Sequence, residues 1–369
     1  MLNKGFLLSV GLLSGTIIGA GIFSLPYLAS RVGLATGFFY LIFFTLVYVA
    51  VHAMYGKILE AEKGEHQFFY LARKYFSGSL ARLASFIVLA ELIFVMLVYL
   101  VLAPTFARLL FGSDGLIYVI LFWLFGSIFI FAGLKVLEFA DFAGVASILA
   151  IVLVIVLAGE GGLETPVLQP LDLKLFFLPF GPLLFSLAGR PAMHKVIEVY
   201  RAAKARGTPF SLVRVAFWGT FLPSAVYLLF VFGVLRLNPA VSPEALDSLV
   251  SLPSYLVTLL GFLGLITLWT SYFMIGVNVK DILRLDLKKS SWFSAAAVLF
   301  SPLVLYSIGF KEFLPVITFT GSIFLALEGV FVIAMWRRAF PAHRLRWVSW
   351  PLYAVFLVAL LYALYSFVL

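Results

Sequence analysis

Long apolar stretches, separated by short charged segments, follow one another along the whole chain. Eleven of them have about the 20 residues that a helix needs to cross a bilayer. We therefore predict an all-α membrane protein with eleven transmembrane helices, at residues 6–29, 34–56, 82–110, 115–135, 139–159, 175–200, 211–236, 253–283, 291–309, 313–337 and 347–368. The third, sixth and tenth helices each contain an internal charge, namely Glu91, Arg190 and Glu328.

Three of the connecting segments have a character of their own. Aromatic residues lie among charges at 57–80, which predicts a short helix at the membrane interface. Residues 160–174 are predicted to form an acidic loop, and residues 237–252 fit a short capping helix. Both are expected on the membrane face opposite to the segment 57–80. None of the three is long enough for a soluble domain, so we treat residues 1–369 as one transmembrane domain.

Two of the predicted helices are interrupted by glycine and proline. The first carries four glycines before a proline, and the sixth carries three prolines and two glycines (Gly11, Gly15, Gly19, Gly21 and Pro26; Pro179, Gly181, Pro182, Gly189 and Pro191). Unwound backbone at membrane depth is tolerated only where it is buried in protein or lines a cavity. The alternative is that small residues merely allow close helix packing.

The spacing of the two broken helices favours a binding site over simple packing. They lie five helices apart, so the two halves of the chain have opposite topology. A matching pair of broken helices in inverted halves is typical of secondary transporters. We predict inverted repeats at about 5–160 and 175–338, with one additional helix at 347–368.

Composition and charge support this membrane assignment. The chain is 63% hydrophobic and 12% charged, with a mean hydropathy of +1.12. It has no cysteine, which excludes disulfides and thiolate metal sites. With these helices, twenty Lys and Arg residues lie on the side of the N-terminus and five on the other. The positive-inside rule then places the N-terminus in the cytoplasm and the C-terminus outside. The net charge of +9 is accordingly a topology signal, and we expect no nucleic-acid partner.

Four segments carry a family resemblance: residues 15–26 (GTIIGAGIFSLP), 185–191 (FSLAGRP), 270–283 (TSYFMIGVNVKDIL), and 300–303 (FSPL) followed by 313–314 (FL). They resemble the first, sixth, eighth and ninth helices of bacterial aromatic and hydroxy amino acid permeases. The same segments also resemble those of the wider amino acid/auxin permease group, which belongs to the amino acid–polyamine–cation superfamily. These permeases often have His where Arg190 stands. The resemblance implies a LeuT-like fold.

The resemblance implies an amino acid as substrate, held where helices one and six are broken. The half-helix that starts near Gly21 and Ile22 offers N–H groups and a positive dipole end to a carboxylate. Carbonyls freed at both breaks can accept hydrogen bonds from the ammonium group. The candidate substrate-binding residues are Thr16, Gly19, Ala20, Gly21, Ile22, Phe185, Ser186, Ala188, Gly189 and Arg190.

The coupling ion is left open between sodium and a proton. In the LeuT-like fold, the hydroxyls of Thr270 and Ser271 face helix-one carbonyls near Gly15 and Ile18, and together they can hold sodium; back-bonding of these hydroxyls to their own helix is the alternative. Buried carboxyls are the candidates for a proton relay, because charge inside a membrane is costly and is kept for function or for pairing. Glu91 and Glu328 are these candidates, and either could instead pair with Arg190. His52 and His194 are interpreted as interface residues.

We therefore expect a multi-pass importer of amino acids in the cell membrane, which works by alternating access and is driven by a proton or sodium gradient. The expected partners are a small-molecule amino acid and the lipid bilayer, with no obligate protein partner, no cofactor and no metal. A carrier of polyamines or other organic cations is the alternative within transport. A channel would need a continuous polar lining, and an enzyme a convergent catalytic set; the sequence shows neither, so we do not expect an enzyme.

Overall fold

The computed structural model describes residues 3–62, 64, 67–113, 115–131, 134–159, 172 and 175–368, without the side chains of 134–141, 367 and 368. Within these residues the chain is helical, with no β-strand. The α-helices are α1 Lys4–Ile17, α2 Leu25–Val32, α3 Leu34–Ala61, α4 Phe68–Tyr75, α5 Gly78–Phe111, α6 Leu116–Phe129, α7 Leu134–Ala158, α8 Phe180–Ser186, α9 Ala192–Ala205, α10 Leu212–Leu237, α11 Ser254–Asp281, α12 Ser291–Ser307, α13 Phe313–Phe319, α14 Ala326–Ala339 and α15 Ser349–Val368.

Short 3-10 and π segments extend or join several of these helices. The 3-10 segments are Ala20–Ser24, Asp247–Ser251 and Arg346–Val348, and the π segments are Ile282–Asp286 and Thr320–Leu325. The second π segment joins α13 to α14 without a break. Such π turns inside a helix are often found at functional sites.

The lengths of the helices identify a multi-pass membrane protein. Among the described residues, six helices are long and apolar enough to cross a bilayer, and the bent pair of Lys4–Ile17 and Ala20–Val32 makes a seventh. Three apolar helices are shorter, at Leu116–Phe129, Phe142–Ala158 and Ser291–Ser307. The count of eleven transmembrane helices stays a prediction.

The core of the bundle is built on long helices that pack side by side. The helix α11 packs along α5 and α7, and α10 packs against α1, α3 and α7. The short helix α8 packs against the π segment Thr320–Leu325. Glycines permit that last contact, since a Cβ added to Gly321 would lie 1.8 Å from the carbonyl oxygen of Gly181. The broken regions are therefore fixed by long helices on several sides.

The connecting segments differ in part from the sequence prediction. The helix expected within 57–80 is α4, but its apolar face, including Phe68, Phe69 and Leu71, is buried against protein instead of facing lipid. The short helix expected within 237–252 is the 3-10 turn Asp247–Ser251. Apart from residue 172, the acidic loop at 160–174 lies outside the described residues.

Candidate functional site

The first break separates α1 from α2 and bends the chain by 50°. The helix α1 ends at Ile17, Ile18 and Gly19 are extended, and the backbone then re-enters a helical turn at Ala20. A Cβ added to Gly21 would lie 2.6 Å from the Cα atom of Ser186. Glycine at this position is therefore required for the first break to contact the second.

The second break separates α8 from α9, at residues 187–191. The expected helix at 175–200 is accordingly two helices, Phe180–Ser186 and Ala192–Ala205. A Cβ added to Gly189 would lie 2.7 Å from the side chain of Ile17, so the missing side chain lets α1 pack onto this segment. Pro191 cannot donate a backbone hydrogen bond, which helps to keep the segment out of a continuous helix.

One tyrosine from a third helix joins the two breaks. The hydroxyl of Tyr227, on α10, lies 2.6 Å from the carbonyl oxygen of Ile17 and 2.7 Å from that of Ser186, and its single hydrogen is shared between these two acceptors. The side chain is fully buried. These two carbonyls had been expected to be available to a substrate, and Tyr227 occupies them instead.

A small cavity of about 60 Å³ lies between the breaks. Seven of the predicted substrate-binding residues line it: Thr16, Gly19, Ala20, Gly21, Phe185, Ser186 and Ala188. Ile22, Gly189 and Arg190 are buried beside the cavity and are not part of its lining. The cavity wall also includes Glu91 and Tyr99, so a carboxyl group and a phenol face the space between the breaks.

The three charges inside the predicted helices meet behind this cavity. The Nε atom of Arg190 donates to Oε2 of Glu328 at 2.6 Å, and Nη2 of Arg190 lies 3.6 Å from Oε2 of Glu91. All three side chains are buried, at 7% exposure or less. The contact with Glu91 is an ion pair without a hydrogen bond, because neither atom has a hydrogen-bond partner among the described residues. Arg190 therefore binds Glu328 tightly and Glu91 loosely.

An aromatic ring packs against the guanidinium group of Arg190. Its Cζ atom lies 5.0 Å from the ring centroid of Phe68, a distance typical of a cation–π contact. Phe68 belongs to α4 and is 1% exposed, so α4 covers this end of the charge cluster. The predicted interface helix thus contributes directly to the site.

His52 fixes the backbone of the second break. The N–H of Gly189 donates to Nε2 of His52 at 3.1 Å, and Nδ1 of His52 lies 3.0 Å from Oγ1 of Thr220. Since Nε2 accepts, the proton is assigned to Nδ1, which donates to Thr220 in a neutral imidazole. His52 is 1% exposed, so its interpretation as an interface residue was wrong.

The residues predicted to bind sodium contact neighbours other than the first-helix carbonyls expected from the sequence. Oγ1 of Thr270 donates to carbonyls of its own helix, at 2.9 Å from Ile266 and 3.1 Å from Thr267. A Cβ added to Gly144 would lie 2.4 Å from this hydroxyl, so Thr270 also packs on α7.

The other members of the predicted sodium set are equally dispersed. Ser271 interacts with the side chain of Tyr99 on α5. A Cβ added to Gly15 would lie 3.2 Å from Val145, and Ile18 is buried at the first break. These contacts do not by themselves assemble an ion site, and the sodium assignment stays a prediction.

Several residues of the site carried no recognisable signal in the sequence. Tyr227, Tyr99 and His52 lie in apolar stretches in which an aromatic residue is most often core packing, and Phe68 lies in the mixed segment 57–80 that predicted an interface helix. Only the position of the breaks in three dimensions shows which of the many aromatic residues face them. The three internal charges, by contrast, stood out because charge is rare inside membrane helices.

Several solved structures of transporters have this fold. One is a manganese transporter of Eremococcus coleocola, with a TM-score of 0.68 at 12% identity, covering 98% of this chain and 86% of that one. Another is MhsT in complex with L-phenylalanine, with a TM-score of 0.59 at 14% identity, covering 100% and 98%. A third is a nucleobase-cation-symport-1 family transporter in a closed conformation with bromovinylhydantoin bound, with a TM-score of 0.59 at 14% identity, covering 97% and 92%.

The broken helices and the arrangement of the bundle thus match the LeuT-like fold of these proteins. The family comparison goes further, because the family described as transmembrane amino acid transporter protein matches residues 3–232, more than half of the chain. The chain belongs to this family, as the resemblance of its helix motifs had implied. No individually curated protein sequence matches the chain.

Proposed function

We propose that this protein is a secondary active transporter that carries small amino acids by alternating access, with the substrate bound between the two breaks. The observation that supports this best is the cavity that both breaks line, with Tyr227 joining them and a charge cluster behind it. Family membership and the L-phenylalanine bound to MhsT support an amino acid as the substrate class.

Each end of an amino acid has a suitable partner in the cavity. The helical segment Ala20–Val32 starts at the cavity, so its first N–H groups and its positive dipole end can bind the carboxylate. The ammonium group is matched by the Glu91 carboxylate and by backbone carbonyls of the second break other than that of Ser186, which accepts from Tyr227. A cavity of about 60 Å³ has room for roughly four to six waters, at about 10–15 Å³ each, which favours a side chain as small as that of alanine or serine.

The charge cluster supports coupling to a proton. Two carboxyl groups share one guanidinium, so the fully ionised cluster carries a net negative charge in a buried place, which is costly. Binding a proton at one carboxyl removes that net charge. Glu91 is the better carrier of the proton, because it lines the cavity and its ion pair is the longer one. Glu328 then keeps Arg190 in place.

The runner-up functions fit the cavity less well. Sodium coupling through Gly15, Ile18, Thr270 and Ser271 would require Thr270 to leave its present hydrogen bonds. A site for polyamines or other organic cations would require several carboxylates. The same holds for a divalent metal such as the one carried by the manganese transporter. Glu91 is the one carboxylate among the residues that line this cavity.

The finer architecture belongs to the same proposal. We propose eleven transmembrane helices, arranged as a five-plus-five inverted repeat with one helix added. In this arrangement, the broken pair α1 and α2 of the first half corresponds to the pair α8 and α9 of the second half. The distribution of basic residues supports a cytoplasmic N-terminus and a C-terminus outside. With this orientation, the gradient of protons drives import.

Uptake into proteoliposomes tests the proposal. A panel of labelled amino acids is offered under an inward proton gradient or an inward sodium gradient, with wild type, Glu91→Gln and the control Glu312→Gln, which changes an exposed carboxylate in the loop before α13. We expect proton-driven uptake of small amino acids by wild type and by the control, and loss of the proton dependence in Glu91→Gln. Uptake that requires sodium and survives in Glu91→Gln would overturn the proton assignment. Absence of uptake of every amino acid would overturn the substrate class.

A further inference from the structure

A second and larger cavity lies away from the transport site. It has a volume of about 780 Å³ and is bordered by α4, by the first turns of α5 and by the end of α14. Four of its lining residues are basic: Arg73, Lys74, Arg82 and Arg338. All four belong to the side of the protein that holds the N-terminus and most of the basic residues.

The neighbouring acidic groups neutralise only part of this charge. Lys74 is paired with Glu62, at 2.6 Å between Nζ and Oε2, and this hydrogen bond raises the pKa of Lys74 and keeps it cationic. Arg73 interacts electrostatically with Asp286. Among the described residues, these four cations and two carboxylates give a net charge of +2 at the cavity.

Part of this charge is held in place by the protein. Arg338 donates to the carbonyl oxygen of Tyr75, and its Cζ atom lies 4.9 Å from the ring centroid of Phe76. These contacts fix the guanidinium at the wall of the cavity. The first turn of α5 adds to the positive potential, since Ser77 and Gly78 line the cavity and the positive end of a 34-residue helix lies there.

An apolar surface continues directly from the basic end. Arg82, Phe86 and Leu89 line the cavity on successive turns of α5, so charge gives way to hydrocarbon along one face of the helix. Phe86 is 62% exposed, and Leu83 beside it is 47% exposed. A free phosphate ion would use only the basic end, whereas a phospholipid would cover both.

We propose that this cavity binds the headgroup of an anionic phospholipid, with its phosphate between Arg73 and Arg82 and an acyl chain along Phe86 and Leu89. Basic pockets between helices at the cytoplasmic membrane surface attract anionic lipids for the same electrostatic reason. Because the cavity includes α4, whose Phe68 covers Arg190, a bound lipid would also stabilise the cover of the transport site.

Thermal unfolding of the purified protein tests this site. The probes are phosphatidylglycerol, phosphatidylcholine with the same acyl chains, glycerol phosphate and inorganic phosphate, each titrated against wild type, Arg73→Gln/Arg82→Gln and the control Arg206→Gln/Arg344→Gln. The control removes two exposed basic residues that lie outside the cavity. We expect phosphatidylglycerol to raise the Tm by several degrees, with an apparent affinity at least tenfold weaker in the cavity variant and unchanged in the control.

Each other outcome counts against the proposal. Equal stabilisation by phosphatidylcholine would show that the headgroup charge is irrelevant, and equal loss in the control would show attraction to the surface as a whole. Stabilisation by inorganic phosphate as strong as that by lipid would identify a site for free anions. Should the double variant not fold, Phe86→Ala decides, since it changes an exposed side chain: we expect it to weaken lipid binding severalfold, and wild-type affinity would overturn the proposal.

Discussion

Replacing Tyr227 by Phe removes a single oxygen atom from the point where the two breaks meet. That hydroxyl lies 2.6 Å from the Ile17 carbonyl and 2.7 Å from the Ser186 carbonyl, in a place without solvent access. A buried acceptor left without a donor costs about 1–3 kcal/mol. Hydrogen bonds between membrane helices are often worth less, about 0.6 kcal/mol on average. The conformation in which Tyr227 holds both carbonyls is called the joined arrangement of the breaks. We therefore expect the substitution to destabilise this arrangement by about 1–2 kcal/mol.

This cost should appear as weaker substrate binding. If only the joined arrangement binds the amino acid, its apparent affinity falls with the population of that arrangement. At about 1.4 kcal/mol for each factor of ten, the expected loss is roughly 5- to 30-fold. Equilibrium binding of a labelled small amino acid to purified Tyr227→Phe measures it, beside the Km for uptake in proteoliposomes.

Tyr40→Phe is the matched control. Tyr40 is 3% exposed, and its hydroxyl donates to the Phe176 carbonyl at 2.7 Å, so the same chemistry is removed from a helix contact outside the breaks. Both variants should lose some thermal stability, and only Tyr227→Phe should lose affinity. Binding by Tyr227→Phe within twofold of wild type, or an equal loss in both variants, would refute the role given to Tyr227.

Two further substitutions test the packing and the charge of the same region. Gly21→Ala should abolish uptake or reduce it more than tenfold, because the Cβ of the new alanine would lie 2.6 Å from the backbone of Ser186. Gly11→Ala is the control and should transport as wild type does, since the Cβ at this position would meet open space. Glu328→Gln should lower the free energy of unfolding by about 1.5–3 kcal/mol, measured by denaturation in detergent, because it removes the close charged hydrogen bond of the buried Arg190 while Glu91 remains as its counter-charge. A Tm unchanged from wild type would contradict that reasoning.

The sequence was sufficient to locate the breaks, because glycine and proline act on the backbone where they stand. The breaks lie at residues 18–24 and 187–191, inside the two predicted helices, and the helix bounds elsewhere agree to within about six residues. The substrate-binding set followed from these local signals. Seven of its ten members line one cavity in the structure, although their role in binding stays a prediction.

Contacts between distant segments could not be predicted in the same way. Tyr227 lies 210 residues from Ile17, and His52 lies 137 residues from Gly189. An aromatic residue or a histidine in an apolar helix has the same local pattern whether it packs or holds a carbonyl. The choice among partners for Glu91, Arg190 and Glu328 was open for the same reason, since depth along a helix does not determine which face a side chain occupies.

The geometry of the charge cluster explains how proton binding could influence the shape of the site. A ligand shifts a conformational equilibrium only by the difference between its affinities for the two states. Arg190 lies on the second break, Glu91 on α5 and Glu328 at the start of α14, so the three charges belong to segments that a movement of the break would displace relative to one another. The proton affinity of Glu91 depends on its distance from Arg190, now 3.6 Å. Any rearrangement that lengthens this distance makes protonation more favourable, and protonation in turn favours that rearrangement.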